Sequence, residues 1–446
     1  MKDLFKAGLF RLLFLGFNFL IGLFIAAISG TELFGTISLM IVNAGLFHLL
    51  TGFGADQAIV WHGASNKFSP QKLFTITFST SLFQIFIFIV IAFSFFYLTG
   101  KTLLSKGIST GHLYLELIYF TGLIFIDKYV SLLYAQNKAR VCNAILAVVT
   151  SIATVFLLLV HFNFLGTKPD PLAFFCFLTL IQALSVIVLY HFLQRVSFSE
   201  IKREELSSFF RFSGLVFITN LIQFLAYRSD YWFIDYFEST DQVGIYSQAN
   251  KFAGLLWIVP NIIAALLIPA LSSPNSNIRE KELAGIGRVF NFLNVFIVGL
   301  MVTASFLIYT YFLQEDYFEG FIPLLYMLPG YFFFCITIIL AAYFSAKNLL
   351  WVNLAGSSIC LIAIVIADLL LIPSYGITGA AWSNTIAYST STLFTIIMFI
   401  RFSKLKPGAL FYLRKSDWKL ITKLQSLVQK IILLIFSGCL HGILAS

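Results

Sequence analysis

Apolar runs of about 20 residues, the length that crosses a bilayer as a helix, recur along the chain between short polar breaks. They predict spans near 9–29, 33–54, 73–98, 112–134, 141–161 and 172–194. After a polar stretch from Arg195 to about Ser208, further spans are predicted near 209–236, 244–270, 289–314, 321–345, 351–372 and 377–402. The pattern predicts an all-α polytopic membrane protein with about twelve transmembrane helices, six plus six. Residues 1–194 form an N-terminal six-helix bundle, 195–208 a cytoplasmic linker, 209–402 a C-terminal six-helix bundle and 403–446 a basic cytoplasmic tail. In the tail Trp418, Ile421, Leu424, Val428 and Ile431 recur at helical spacing among Lys419, Lys423 and Lys430, which suits an amphipathic helix on the inner membrane surface. A thirteenth span over 424–444 is the alternative, burdened by Gln425, Gln429, Lys430 and His441. The first segment lacks a small-residue cleavage site and runs almost directly into the second, so it reads as a retained helix.

Composition narrows the class. Only 11% of the 446 residues are charged and 59% are hydrophobic, against about 25% charged in soluble domains, which excludes an ordinary soluble enzyme. The net charge of +9 concerns orientation rather than nucleic acid, because Lys and Arg accumulate on the cytoplasmic side. With the N-terminus inside, 23 of the 29 Lys and Arg fall on inner ends, loops and tail, and only Lys101, Lys106 and Lys168 fall outside. Loops at 238–241 and 315–319, acidic and without Lys or Arg, also lie outside. The five cysteines, Cys142, Cys176, Cys335, Cys360 and Cys439, have no paired spacing and read as helix-packing residues. No polar connection is long enough for a catalytic or nucleotide-binding domain, and no Walker loop, Gly-x-Ser-x-Gly elbow or His-Glu-x-x-His motif occurs. Nothing calls for a metal or an organic cofactor. A polytopic chain of this kind reads as a secondary transporter or flippase.

Ionisable groups inside spans are costly unless they face a cavity or a partner. Arg228 and Lys251 lie about equally far from a hairpin near Ser239 and Thr240, which at ~1.5 Å per residue sets both some 10–15 Å below the outer surface. Two cations at one depth suit a pyrophosphate, Arg through bidentate hydrogen bonds and Lys as a point charge. The alternative is structural pairing with Asp230, Asp235 or Asp368. Lys128 either meets the same phosphate earlier on its path or snorkels to the inner headgroups. Asp127, Asp230 and Asp368 are candidates for proton or sodium coupling or, as for Asp127, for a helix-to-helix ion pair. Pro260 removes a backbone hydrogen bond and predicts a kink or hinge. Tyr227, Tyr231, Trp232, Tyr246 and Trp257 suit either sugar stacking or an interfacial aromatic belt. Gly16, Gly22, Gly35 and Gly45 allow close helix approach. His48 and His62 read as packing or interfacial residues.

Three stretches go beyond hydropathy. They are Leu33-Phe34-Gly35-Thr36-Ile37-Ser38-Leu39-Met40 through Thr51-Gly52-Phe53-Gly54-Ala55-Asp56-Gln57-Ala58; Tyr227-Arg228-Ser229-Asp230-Tyr231-Trp232 through Val243-Gly244-Ile245-Tyr246 and Asn250-Lys251-Phe252 to Ile268-Pro269-Ala270-Leu271-Ser272; and Ile372-Pro373-Ser374-Tyr375-Gly376 through Trp382. Together they resemble the polysaccharide transporter family, the O-antigen repeat-unit flippases of the multidrug/oligosaccharidyl-lipid/polysaccharide exporter superfamily. The resemblance implies two six-helix bundles around a central cavity. It also implies alternating-access translocation of an undecaprenyl-pyrophosphate-linked oligosaccharide across a bacterial inner membrane, with membrane lipid, a polysaccharide polymerase and a chain-length regulator as partners. Lipid II flippases typically have two more helices, and multidrug extruders often carry an acid in the first helix, where this chain has only Asn18. The rivals are a multidrug or cation antiporter of the same superfamily and a membrane glycosyltransferase or polymerase.

Overall fold

The computed structural model describes residues 2–166, 168–194, 197–272 and 280–410, together with Arg414 and Asp417. The predicted surface helix or thirteenth span of the tail lies outside the described residues. Within them the chain forms helices and no strand: α1 Lys2–Gly52, α2 Ala55–Ala64, α3 Pro70–Thr99, α4 Thr110–Ala135, α5 Ala139–His161, α6 Pro171–Leu193, α7 Arg203–Phe237, α8 Thr240–Gly254, α9 Ile258–Ser272, α10 Glu280–Tyr311, α11 Phe321–Ala346 and α12 Leu350–Ser403. The starts follow local chemistry. Ser69 Oγ accepts from Lys72 N ahead of α3, Ser109 Oγ from His112 N ahead of α4, and an Asp170 oxygen from Leu172 N ahead of α6. Pro70 and Pro171 stand at the first helical positions, where a missing N–H costs nothing.

By length and composition, nine helices among the described residues can cross a membrane, and the chain is a multi-pass membrane protein. Two of the nine, α1 and α12, have 51 and 54 residues, over twice the ~20 that one crossing needs. Each is broken by a glycine out of helical conformation, Gly30 (φ 77°) and Gly376 (φ 56°), where the sequence pattern places the connections between spans. The twelve-crossing reading therefore takes each of these helices as two, and α8 with α9 as one interrupted span. That interruption is a 3-10 turn at Leu255–Trp257, just ahead of Pro260. Proline leaves the carbonyl four residues before it without its helical donor. That carbonyl, Leu256 O, accepts from Cys335 Sγ at 3.6 Å instead. Helix α2, which the pattern did not predict, follows a left-handed Gly54 (φ 72°).

Packing sorts the helices into α1–α6 and α7–α12. In the first set α1 packs mainly on α5, and α4 on α6 and α3; in the second α11 packs on α12 and α9, and α7 on α12. The main contacts between sets run from α1 and α2 to α7 and α8, with α1 against α8 the most extensive. There the backbones nearly touch. A Cβ built on Gly35 would lie 1.8 Å from Thr240 O, one on Gly244 would lie 2.0 Å from Thr31 O, and Ser38 Oγ donates to Ser247 Oγ at 2.9 Å. Close by, Gln314 Nε2 and Tyr317 Oη donate to Ala27 O and Gly30 O at 3.0 and 2.9 Å, satisfying carbonyls freed by the Gly30 break. Glu116, buried in α4, accepts from Leu104 N and Ser105 N and so fixes the α3–α4 connection. Arg288, in the first third of α10, is buried and forms a bidentate pair with Asp417 at 2.7 Å.

Candidate functional site

A cavity of about 240 Å³ lies between the two sets of helices. Ser38, Ile41 and Val42 of α1 form one wall. Opposite stand Tyr227, Arg228 and Tyr231 of α7, Asn250, Lys251 and Gly254 of α8, Trp257 of the 3-10 turn, Tyr331 of α11 and Tyr388 of α12. The residues have local reasons to be there. Tyr227, Arg228 and Tyr231 share one face of α7 at three- and four-residue spacing, as do Asn250, Lys251 and Gly254 on α8. The break before Pro260 then sets Trp257 into the cavity wall.

Both sequence-predicted cations thus reach one cavity, within electrostatic reach of each other. Among the described residues neither has a carboxylate within ion-pair distance. Arg228 Nη1 donates to Tyr231 Oη at 3.2 Å and the guanidinium carbon sits 5.4 Å from the Tyr231 ring centroid. The Lys251 ammonium lies 4.1 Å from the Phe34 ring centroid and 3.0 Å from where a Cβ on Gly22 would stand. The anticipated alternative partners are engaged or withheld. Asp235 pairs with Lys106 and accepts from Thr240, and Asp230 and Asp368 lie outside the cavity lining.

The remaining walls are aromatic. Trp257 stacks on Tyr331 with centroids 4.5 Å apart, and Tyr388 meets Tyr331 edge-on at 5.2 Å. Trp257 Nε1 is buried without an acceptor. Tyr331 Oη donates to Asn250 Oδ1. Tyr331 and Tyr388 were not singled out in the sequence, where 17% of residues are aromatic and no charge marks these two. Of the aromatics that were, Tyr227, Tyr231 and Trp257 line the cavity. Trp232 donates to Asn43 Oδ1 at 2.7 Å, and Tyr246 stands behind Tyr231 with its hydroxyl on Asp230, so Tyr246 is not a cavity residue.

Behind this wall lies a second polar layer. Asp230 accepts from Tyr246, from Asn384 Nδ2 at 3.3 Å and from the Tyr231 backbone at 3.0 Å. Asp368, on α12, is fully buried, within electrostatic reach of Asp230 and beside the Ser383 hydroxyl. That hydroxyl also lies 3.0 Å from Gly379 O. Lys128 and Asp127 belong elsewhere. Lys128 is fully buried, with its ammonium 3.1 Å from Asp56, so it lines neither the cavity nor the surface; Asp127 lies 3.5 Å from His48, a contact of α4 with α1.

The model of a polysaccharide biosynthesis protein family matches residues 5–274. Among curated proteins none matches. Solved structures do. The lipid II flippase MurJ in an inward-closed conformation aligns with a TM-score of 0.69 at 16% identity, over 99% of this chain and 100% of that one. An inward-facing multidrug resistance MATE family transporter of the MOP superfamily gives 0.63 at 14%, over 90% and 98%. A point mutant of the Vibrio cholerae MATE transporter VcmN gives 0.61 at 13%, over 90% and 96%. At these identities the likeness concerns the fold, an all-helical transporter architecture.

Proposed function

From the premise that the chain belongs to the polysaccharide biosynthesis protein family, we propose that it is a non-enzymatic flippase for a pyrophosphate-linked oligosaccharide carried on undecaprenyl. One observation carries the reading: Arg228 and Lys251 face the same cavity, and no carboxylate is among the residues that line it. Unpaired cations taken out of water are unfavourable, and an anionic headgroup between them removes that penalty while gaining charge-assisted hydrogen bonds. The aromatic wall and the free Trp257 N–H suit the first sugar, whose apolar face stacks on rings and whose hydroxyls accept. A cavity of about 240 Å³ is below the ~300–1,000 Å³ of ordinary ligand pockets. It holds a headgroup fragment, and the whole oligosaccharide enters when the two sets of helices part, as alternating access requires. The lipid tail stays in the bilayer throughout.

We assign the O-antigen repeat unit as cargo, the bacterial inner membrane as location and a cytoplasmic N-terminus, the last from the distribution of Lys and Arg. The chain acts beside the polymerase and chain-length regulator that receive its product. The 1–194 and 209–402 bundles are the moving bodies. We place coupling to a proton or sodium ion at Asp230 and Asp368, because two neighbouring carboxylates taken out of water are stabilised by a bound cation or proton. A multidrug-cation antiporter would instead expose carboxylates to the cavity, and here they stand behind Tyr231.

The test is the leaflet distribution of the lipid-linked intermediate in cells depleted of the protein, read with a glycan probe that does not cross the inner membrane. Accumulation on the cytoplasmic leaflet, reversed by re-expression, is expected. An intermediate that still reaches the outer leaflet, together with dye efflux by the purified protein, would favour the antiporter.

A further inference from the structure

About two helical turns along α1 from Ile41 of the cavity wall, four titratable side chains from three helices meet in a separate cluster. His48 Nε2 lies 3.1 Å from one Asp56 oxygen on α2 and 3.5 Å from an Asp127 oxygen on α4. The Lys128 ammonium, also from α4, lies 3.1 Å from the other Asp56 oxygen. From α3, Gln84 Nε2 donates to His48 O at 3.1 Å and stands 3.5 Å from His48 Nδ1. Arg11, on the first half of α1, acts on Asp127 from a distance. With His48 protonated, two cations face two carboxylates in the cluster. With His48 neutral, Lys128 alone faces both. Lys128 is 0% exposed and His48 12%, whereas Asp127 is 46% exposed.

The cluster brackets a contact between the two sets of helices. Phe53 and Gly54 are the turn between His48 and Asp56. Ser213 of α7 donates to Phe53 O, and Phe53 stacks on Phe217 with centroids 4.8 Å apart. A Cβ on Gly54 would stand 2.5 Å from Ser213 O, and Trp61 of α2 stacks on Phe212 at 4.5 Å. Any shift of α2 against α1 and α4 therefore moves the surface on which α7 rests.

We infer that His48 is a proton-binding site whose occupancy sets the closure of α2 on α7. Protonated, the charge-balanced cluster holds α2 to α1 and α4 and presents the Phe53–Gly54 turn to α7. Deprotonated, Asp56 and Asp127 repel each other and the turn withdraws. The site lies in the opposite half of the molecule from Asp230 and Asp368 and acts without cargo.

Spin labels at Ser65→Cys and Ser207→Cys, both exposed positions flanking the contact, in an otherwise cysteine-free protein, report the α2–α7 separation by pulsed electron resonance. Between about pH 5.5 and 8, the range in which histidine titrates, the distances are expected to lengthen. His48→Gln, which keeps a hydrogen bond but cannot take a proton, is expected to hold the long distribution at both pH values. Asp127→Asn, which removes the excess carboxylate, is expected to hold the short one. A pH-independent distribution with His48 in place, or a pH shift that persists in either variant, overturns the proposal. Because the readout contains no substrate, such a failure leaves the flippase reading untouched.

Discussion

Arg228 donates to the Tyr231 phenol and lies against its ring, and among the described residues no carboxylate stands within ion-pair distance of it; Asp230 acts on it only electrostatically. If its role is to hold cargo, Arg228→Ala in correctly inserted protein lowers flipping by about 10- to 100-fold, the equivalent of the ~1.5–3 kcal/mol of a hydrogen bond to a charged group. Arg228→Lys keeps charge and loses the bidentate fork, so it recovers part of that loss. Full surface polysaccharide in Arg228→Ala at unchanged protein level removes the residue from the mechanism. Trp257→Phe keeps the ring and deletes the N–H. It is expected to cost less, about 2- to 10-fold, and initial flipping rates in proteoliposomes distinguish the two. Asp368→Asn is expected to abolish stimulation by an imposed proton or sodium gradient while leaving pyrophosphate binding intact. These charges were legible in the sequence because each interrupts an apolar run. Their orientation was not: Arg228 faces the cavity and Asp230, two residues on, faces away, and only the packing of α7 on α8 and α12 decides which. His48 was illegible for the same reason, since its partners arrive from α2 and α4.

At the scale of elements, α1 and α8 meet through glycine on both sides, so neither helix has a side chain to yield. Gly244→Ala places a methyl 2.0 Å from Thr31 O, and overpacking of this kind costs about 1–3 kcal/mol. A lower Tm of the detergent-purified protein is the expected result. The neighbouring Ser38 and Ser247 hydroxyls, 2.9 Å apart, mark a site for a reversible clamp. Ser38→Cys with Ser247→Cys is expected to oxidise and stop transport until reductant is added; transport at the normal rate while bridged would mean that α1 and α8 do not separate during the cycle. Helix α8 also records how far sequence reasoning extends. Pro260 signalled a break, but the break falls at Leu255–Trp257, where the displaced carbonyl finds Cys335 Sγ, a partner from α11 that no local pattern announces. Helix α2 escaped prediction because its ten residues carry Asp56, Gln57 and His62 and resemble a polar connection, whereas in the fold Ala58, Ile59 and His62 are buried.

For the whole molecule, the apolar runs were enough to foresee an all-helical polytopic chain, since a helix in lipid must satisfy its own backbone and little else. The spans and the helices agree closely, with 73–98 becoming Pro70–Thr99 and 321–345 becoming Phe321–Ala346. How the halves face each other was not foreseeable from hydropathy, because every helix is apolar on the side that meets lipid and on the side that meets protein. Orientation is directly testable. A single cysteine at Lys101 is expected to react with a membrane-impermeant maleimide in intact cells, and one at Lys67 only after permeabilisation. The reverse pattern would invert the topology.

The breaks at Gly30 and Gly376 have a practical consequence for anyone who wishes to tag or cut this protein. Each joins two helices through a single residue, and the backbone beside each is already claimed, Gly30 O by Tyr317 and the space beside Gly376 by Glu238, which would lie 3.3 Å from an added Cβ. An inserted epitope or protease site there has nowhere to go. The connection after α5 is different: residues 162–166 are exposed and leave the helix through a turn, so that is where the chain has room for an insertion without disturbing what lies on either side.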